Sequence, residues 1–384
     1  MKIDQIQVYL VNIDNRNIPI IFISTDNGIH GIGEAYSVGP DLATIRVVEY
    51  FSEWLIGHDP FDIEGICKLL FAGSRFPGGS IVNAAISGIE HALWDIKGKA
   101  LGVPVYQLIG GKCRNKVRVY KSVKGDTPDI LAENAIKTIE KYGFTAIKIS
   151  PFPDCNDTLW CDMGVSNFYK KAEARIRAVR KVVGDDVDIA LDAHARCFEP
   201  SISLTLCKIF EPYRPFFLEE PIRPENKSII GYLRSKSLVP IATGEALYTK
   251  FEFHELLNNN GADIIQPDIT LTGGLWEMKK IAAIAEASYV SVAPHNPCGP
   301  IATAVNLHFA LSTHNFIILE YKPDDISERC ELIEKVIEFH NGYLIPPVEP
   351  GLGVKLNIKT CSKQKYRSWH RPFLWRKDGS IGYQ

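Results

Sequence analysis

IALDAH (189–194), FFLEEP (216–221), IATGE (241–245), DIIQPD (263–268), VAPH (292–295) and FIILE (316–320) are short apolar runs that each reach a carboxylate or a histidine at their end: Asp192, Glu219, Glu245, Asp268, His295 and Glu320. These six residues are spaced 27, 26, 23, 27 and 25 apart, so a supersecondary unit of fixed size repeats. Runs this short and this continuously hydrophobic read as parallel strands buried on both faces. Each ionisable group then sits at the C-terminal end of its strand, where an α/β barrel gathers its chemistry. One mouth is expected to hold all six.

Two further strands precede them, VRVYK (117–121) and AIKIS (146–150), which completes eight. The intervening segments are long enough for right-handed crossover helices. One such helix is FYKKAEARIRAVRKVV (168–183), in which Ala172, Ile176, Val179 and Val183 share a face and Gly184 ends it. The fold class is therefore α/β, a (β/α)7β TIM-like barrel over residues 116–324.

Residues 1–115 read differently, as an N-terminal α+β capping domain. IDQIQVYLV and IPIIFISTDNGIHGIGEA alternate as antiparallel strands, and Asn27-Gly28 predicts a type I′ hairpin. Ile86, Ile89, Leu93 and Ile96 recur at helical spacing, with Gly102 and Pro104 as the stop. The tail, 325–384, has little periodicity and several prolines, and is expected to pack back on the capping domain.

A formal net charge of −2 in 384 residues gives no electrostatic reason to expect nucleic acid. No apolar run approaches the ~20 residues that span a bilayer, and MKIDQIQVYL lacks the layout of a signal peptide, so a cytoplasmic protein that binds no membrane is expected. Nine cysteines, an odd number without a CxxC pair, read as free thiols. Cys298, in HNPCGP, lies near the mouth but has no second histidine beside it to activate it as a nucleophile.

Asp192, Glu219 and Glu245 end three successive strands. Crowded in a desolvated mouth, they would repel one another unless a cation neutralises them, and an all-oxygen set suits Mg²⁺. Side chains alternate along a strand, so Glu219 is chosen as the ligand and Glu220 is left as a supporting or structural group, for which pairing with a cation on a neighbouring strand is the favoured role. His194, two residues past Asp192, is placed to act as a general acid, and Asp268 is placed to orient His295 as a base. Glu320 is read as a contact to a substrate carboxylate. Lys148 is read as either a second such contact or a partner of Glu219 or Asp192. A divalent ion between two opposed histidines suits removal of a proton α to a carboxylate, followed by loss of a β-hydroxyl as water. The product would be a 2-keto-3-deoxy acid.

The chain resembles the mandelate racemase branch of the enolase superfamily, and within it the galactonate and gluconate dehydratases. The likeness is carried by GIGEA (31–35), AAISGIEHALWDIKGKALGVPVYQLIGG (84–111), LDAHAR (191–196), EPYRPFFLEEP (211–221), PIATGE (240–245), DIIQPD (263–268), APHNPCGPIA (293–302), PGLGV (350–354) and WRKDGS (375–380). The resemblance implies one Mg²⁺ per site on Asp192, Glu219 and Glu245, His194 as acid, His295 with Asp268 as base, and Glu320 against the substrate carboxylate. It also implies substrate-selecting loops near 15–20 and 72–80, and a homo-oligomer, often an octamer. Departures concern specificity: Lys148-Ile149-Ser150 lacks the second lysine common in racemases, and Ser150, Ala193, Ala246 and Leu271 stand where galactonate dehydratases usually carry Asn, an aromatic, Arg and His. Lys121, Lys124 and Tyr321 are also expected near the mouth. The expected function is Mg²⁺-dependent dehydration of an acid sugar such as galactonate or gluconate. An acid-sugar epimerase or racemase on the same site, and a non-catalytic sensor of the same fold, are the alternatives.

Overall fold

A computed structural model describes residues 1–14, 16–76, 78–152, 160–324, 327–369 and 375–382 of the chain. Cys155, parts of the loops expected at 15–20 and 72–80, and residues 370–374 of the tail lie outside the described residues.

Strands β1 (Ile3–Ile13), β2 (Arg16–Thr25) and β3 (His30–Glu34) form one antiparallel sheet in that order. The β2–β3 hairpin forms where Asn27-Gly28 predicts it, but not with the predicted turn. Gly28 alone is left-handed (φ 83°), its N–H donates to Thr25 O, and Thr25 N–H donates to Ile29 O. That is a three-residue loop with a glycine bulge, because a type I′ turn needs positive φ at both central residues and Asn27 lacks it.

Helices α1 (Asp41–Leu55), α2 (Ile63–Gly73), α3 (Gly79–Leu101) and the short α4 (Val105–Leu108) follow. Ile86, Ile89, Leu93 and Ile96 are all buried on α3, and Gly102 ends it in the left-handed conformation. So are their neighbours from Asn83 to Ile96, since α3 is covered all round. Its approach to β3 is set by glycines: a Cβ on Gly33 would stand 1.8 Å from Gly88 O. Gly33→Ala therefore forces backbone apart, and we expect a loss of roughly 1–3 kcal/mol or more, read as a lowered midpoint in thermal unfolding.

The eight expected barrel strands are present: β4 (Val117–Val123), β5 (Ala146–Ile149), β6 (Asp188–Asp192), β7 (Phe217–Glu219), β8 (Ile241–Thr243), β9 (Ile264–Ile265), β10 (Ser291–Val292) and β11 (Leu319–Glu320). Neighbours pair in parallel from β4 to β10, and β11 returns to β4 through Leu319 and Val119. A parallel bridge from Val292 to Phe316 closes the ring. Seven crossovers carry α5 (Pro128–Tyr142), α6 (Trp160–Met163) with α7 (Val165–Val183), α8 (Pro200–Phe210), α9 (Lys227–Lys236), α10 (Thr249–Asn258), α11 (Leu275–Ala287) and α12 (Pro300–Leu311).

The tail holds α13 (Ser327–Leu332), β12 (Ile333–Lys335), β13 (Phe339–His340), β14 (Tyr343–Leu344), β15 (Lys355–Leu356) and α14 (Ile358–Cys361). It touches both layers. Asn17 exchanges two hydrogen bonds with the Arg367 backbone, and Leu352 N–H donates to Asp95, whereas β14 adds antiparallel to the start of β4.

Buried carboxylates of the N-terminal module tie it to the barrel. Glu34 accepts from Gly299 N–H and Ala302 N–H at the start of α12. Glu90 accepts from Leu275 N–H and Trp276 N–H at the start of α11, and from Trp94 Nε1–H. Helix N-termini offer unpaired N–H groups and a positive dipole end, so these acids satisfy both at the seam. Among the described residues no helix is long and apolar enough to cross a membrane. Seven cysteines, at 67, 113, 197, 207, 298, 330 and 361, are free thiols.

Candidate active site at the barrel mouth

Tyr120, Ala146, Ala190, Phe217, Ala242, Ile264, Ala293 and Ile318 point into the barrel and pack as one apolar cluster. Two residues further along each strand, the same inward direction falls on Ser122, Lys148, Asp192, Glu219, Gly244, Gln266, His295 and Glu320. The period of two thus turns an apolar plug into a polar floor one layer up. Asp192, Glu219 and Glu320 end their strands, whereas Glu245, Asp268 and His295 lie two to three residues beyond theirs.

Lys148 stands at the centre of this floor. Its ammonium lies 3.2 Å from Asp192, 2.9 Å from Glu219 and 3.3 Å from Glu320, and all four residues are buried. Burial alone would strip its proton, but the surrounding carboxylates, Glu219 first, hold its pKa well above the ordinary lysine value. Burial also raises Glu320, yet Lys148 and His295 outweigh it and hold that group down at about 2. Glu219 is pushed up by burial and by Asp192, with Lys148 pulling the other way. Of the two roles open to Lys148, the geometry supports pairing, and with three carboxylates where Asp192 or Glu219 was expected.

The histidines face this cluster from two sides. His194 Nε2 is 3.2 Å from Asp192 Oδ2, and His194 N–H donates to Asp192 Oδ1 at 2.8 Å. Strand alternation is not what brings it there: β6 stops at Asp192, and His194 sits in a left-handed turn (φ 50°). His295 Nδ1 lies 2.9 Å from Asp268 Oδ2, and its Nε2 3.6 Å from Glu245 Oε2. Burial would lower the imidazole's pKa, but Glu245 and Asp268 raise it to about 9. In the neutral ring Asp268 would hold the proton on Nδ1, which leaves Nε2 for the mouth.

Glu220 turns away from this floor, as alternation requires, but its partner is not the expected cation. Oε1 accepts from Thr243 Oγ1–H at 2.7 Å and from Gly244 N–H at 2.9 Å. Gly244 (φ 136°) is where β8 turns and aims Glu245 at the mouth, so Glu220 fixes that turn. Burial and the charge of Glu245 push Glu220 up to about 8, and its Oε1 serves only as an acceptor, which a glutamine also offers. Glu220→Gln should then leave Mg²⁺ affinity in calorimetric titration nearly unchanged, while Glu220→Ala, which strands a buried N–H at a cost of about 1–3 kcal/mol, weakens it.

Three expectations near the mouth are corrected. Lys121 points outwards, 5.0 Å from the Tyr142 ring centroid on α5, and with Lys124 lines a groove outside the barrel. Tyr120 and Ser122 take the inward positions on either side of it. Tyr321 is buried with its ring 5.2 Å from that of Phe339 in the tail. Cys298 is buried 3.7 Å from Asp268, and burial holds its thiol well above the usual value, so the thiol stays protonated, as its lack of an activating partner implies.

Sequence reading misses two contacts to Glu320. Ser122 Oγ–H donates to Oε1 at 3.1 Å, and Asn296 N–H to Oε2 at 3.1 Å. Ser122 was within reach of the period-two rule applied from Tyr120. The Asn296 contact comes from a backbone group, which carries no residue-type signal.

Asp192 and Glu219, which are buried, and Glu245, whose side chain is 22% exposed, offer carboxylate oxygens, which is the donor chemistry a hard divalent ion takes. Among the described residues no three His, Cys, Asp or Glu side chains converge at ligating distance. At the centre of the floor the Lys148 ammonium supplies a positive charge to Asp192 and Glu219. The donor chemistry of the three carboxylates is the kind such an ion takes.

Residues 3–110 match the model of the mandelate racemase/muconate lactonizing enzyme N-terminal domain, and residues 131–360 that of the enolase C-terminal domain-like family. The chain is 37% identical over 372 residues to a D-galactonate dehydratase of Cronobacter sakazakii and 38% identical to that of Pectobacterium atrosepticum, covering 94% of both chains in each case. A crystal structure from Agrobacterium radiobacter, an enolase proposed to be a galactarate dehydratase and bound to Na and L-malate, superposes with a TM-score of 0.95 at 38% identity, with 100% of both chains covered. A mandelate racemase/muconate lactonizing enzyme homologue from Burkholderia superposes with a TM-score of 0.89 at 32% identity, covering 97% of this chain and 96% of that one.

Proposed function

The chain belongs to the mandelate racemase/muconate lactonizing enzyme family of the enolase superfamily, and from that premise we propose that it is an acid-sugar dehydratase, a hydro-lyase that converts an aldonate such as galactonate or gluconate to a 2-keto-3-deoxy acid. The observation that carries this reading is the pair of imidazoles facing one carboxylate cluster, with His194 at Asp192 and His295 at Glu245. One Mg²⁺ held by Asp192, Glu219 and Glu245 would supply positive charge to the substrate carboxylate as its α-carbon loses a proton.

The chain's own groups do the proton work. His295 Nε2 takes the α-proton, and Asp268 keeps the ring oriented and stabilises the imidazolium that results. His194, 40% exposed on its side chain and on the other side of the cluster, gives a proton to the departing β-hydroxyl. Lys148, paired with Asp192, Glu219 and Glu320, would add positive charge on the side of the site where we place the substrate carboxylate. Ser150, where a second lysine would serve a two-base racemase, favours elimination over epimerisation. The relatives named for D-galactonate and galactarate support an acid-sugar substrate class. Leu271, Ala193 and Ala246 are smaller or less polar than the residues usual at those positions and make the distal end of the substrate the point of difference.

The test is a library of aldonic and aldaric acids incubated with the Mg²⁺-loaded protein and assayed for keto acid with semicarbazide. Release from at least one acid sugar is expected. Release from none contradicts the reading.

A further inference from the structure

We propose that Thr270 is a positioning residue for the His295–Asp268 pair. The proposal rests on His295 as the base in the preceding reading. Asp268 has two oxygens with different duties: Oδ2 faces His295 Nδ1 at 2.9 Å, while Oδ1 accepts from Thr270 N–H at 2.8 Å and from Thr270 Oγ1–H at 2.7 Å. Two donors from one residue fix the plane of the carboxylate. The second oxygen is then held for the imidazole, and a charge-assisted bond at this distance is the strong kind.

The same Thr270 hydroxyl lies 3.1 Å from the backbone carbonyl of Tyr36, in the loop that follows β3, and 3.7 Å from Cys298 Sγ. Thr270, Asp268, Tyr36 and Cys298 are all fully buried, so no water competes for these groups. A hydroxyl has one proton and here two acceptors. The shorter, charged contact to Asp268 takes it, and the Tyr36 carbonyl is left against an oxygen. The loop after β3 is therefore packed against the hydroxyl that pins Asp268. A residue one step removed from the reacting atoms commonly costs ten- to a hundredfold when such a contact is lost.

The experiment compares wild type, Thr270→Val and Thr270→Ser in two readouts, with Thr270→Ala in place of the valine variant should that one fail to fold. The first readout needs no substrate: ¹⁵N-histidine NMR of the Mg²⁺-loaded protein, followed over a pH series until the ring is neutral, reports which His295 nitrogen carries the proton. Wild type and the serine variant are expected to show the proton on Nδ1, and the valine variant a mixture of the two tautomers. The second readout is turnover of an acid sugar. There kcat is expected to fall about tenfold to a hundredfold in the valine variant with KM changed less than about threefold, and serine to restore it. A valine variant with the wild-type tautomer and wild-type kcat overturns the proposal. Absence of keto acid from the wild type overturns the dehydratase reading instead, and leaves the tautomer comparison to decide on Thr270.

Discussion

Replacing His295 by Asn is expected to abolish keto-acid release while Mg²⁺ still binds. Asparagine keeps a hydrogen bond to Asp268 but cannot take a proton, and loss of a general base at a weak carbon acid costs at least ~10²–10⁴-fold in kcat. Mg²⁺ affinity in calorimetric titration should remain near wild type, because the proposed ligands Asp192, Glu219 and Glu245 are untouched. The companion variant His194→Asn separates the two proton transfers. It should still exchange the α-hydrogen of the substrate with deuterated water yet release little keto acid, since the base remains and the acid is gone. Turnover retained in His295→Asn removes that residue from the role of base.

Replacing Lys148 by Met is expected to have the largest effect on stability. Asp192, Glu219 and Glu320 are at most 5% exposed, and Lys148 is the cation within 3.3 Å of each. Removing one partner from a buried ionic cluster costs about 3–5 kcal/mol, because the remaining charges are left uncompensated. The sign of the pH dependence follows from Glu320. In the wild type its pKa is depressed to about 2, so it contributes stability that is present above the unfolded value and lost as pH falls towards 2. Without Lys148 the three carboxylates titrate upwards, so the folded state binds protons more tightly than the unfolded one and stability falls as pH rises. The deficit of Lys148→Met relative to wild type should therefore be small near pH 4 and largest near pH 8, as measured by denaturant unfolding. Mg²⁺ should restore part of it at pH 8. A deficit that is independent of pH, or absent, contradicts the central place given to Lys148.

The barrel was legible from the sequence because its signal is redundant. Six short apolar runs at a regular interval, with two more ahead of them, leave few alternatives, and alternation then places Asp192, Glu219 and Glu320 inward without further information. Legibility fails where the backbone leaves ideal geometry. Glu245 reaches the mouth because Gly244 turns the chain at φ 136°, and His194 reaches Asp192 through a left-handed turn; a strand pattern describes neither. Lys121 was misplaced for the opposite reason, since it obeys alternation strictly and so points out of the barrel. The partner of Glu220 was also out of reach: a hydroxyl and a backbone N–H of the next strand replace the expected cation, and pairing register is not written in residue types. Glu34 and Glu90 lie in stretches that carry the family resemblance, yet their contacts, helix starts 265 and 185 residues away, follow only from the assembled fold.

The most direct test of the account is the product formed from an acid sugar in deuterated water by the Mg²⁺-loaded protein, followed by NMR. Dehydration predicts a 2-keto-3-deoxy acid carrying one solvent deuteron at C3, because the enol left by elimination is protonated there from solvent. Recovered sugar acid with deuterium at C2 and no keto acid would contradict dehydration and assign the site to epimerisation. Substrate returned unlabelled and unchanged across the whole panel of acid sugars would contradict catalysis by these residues.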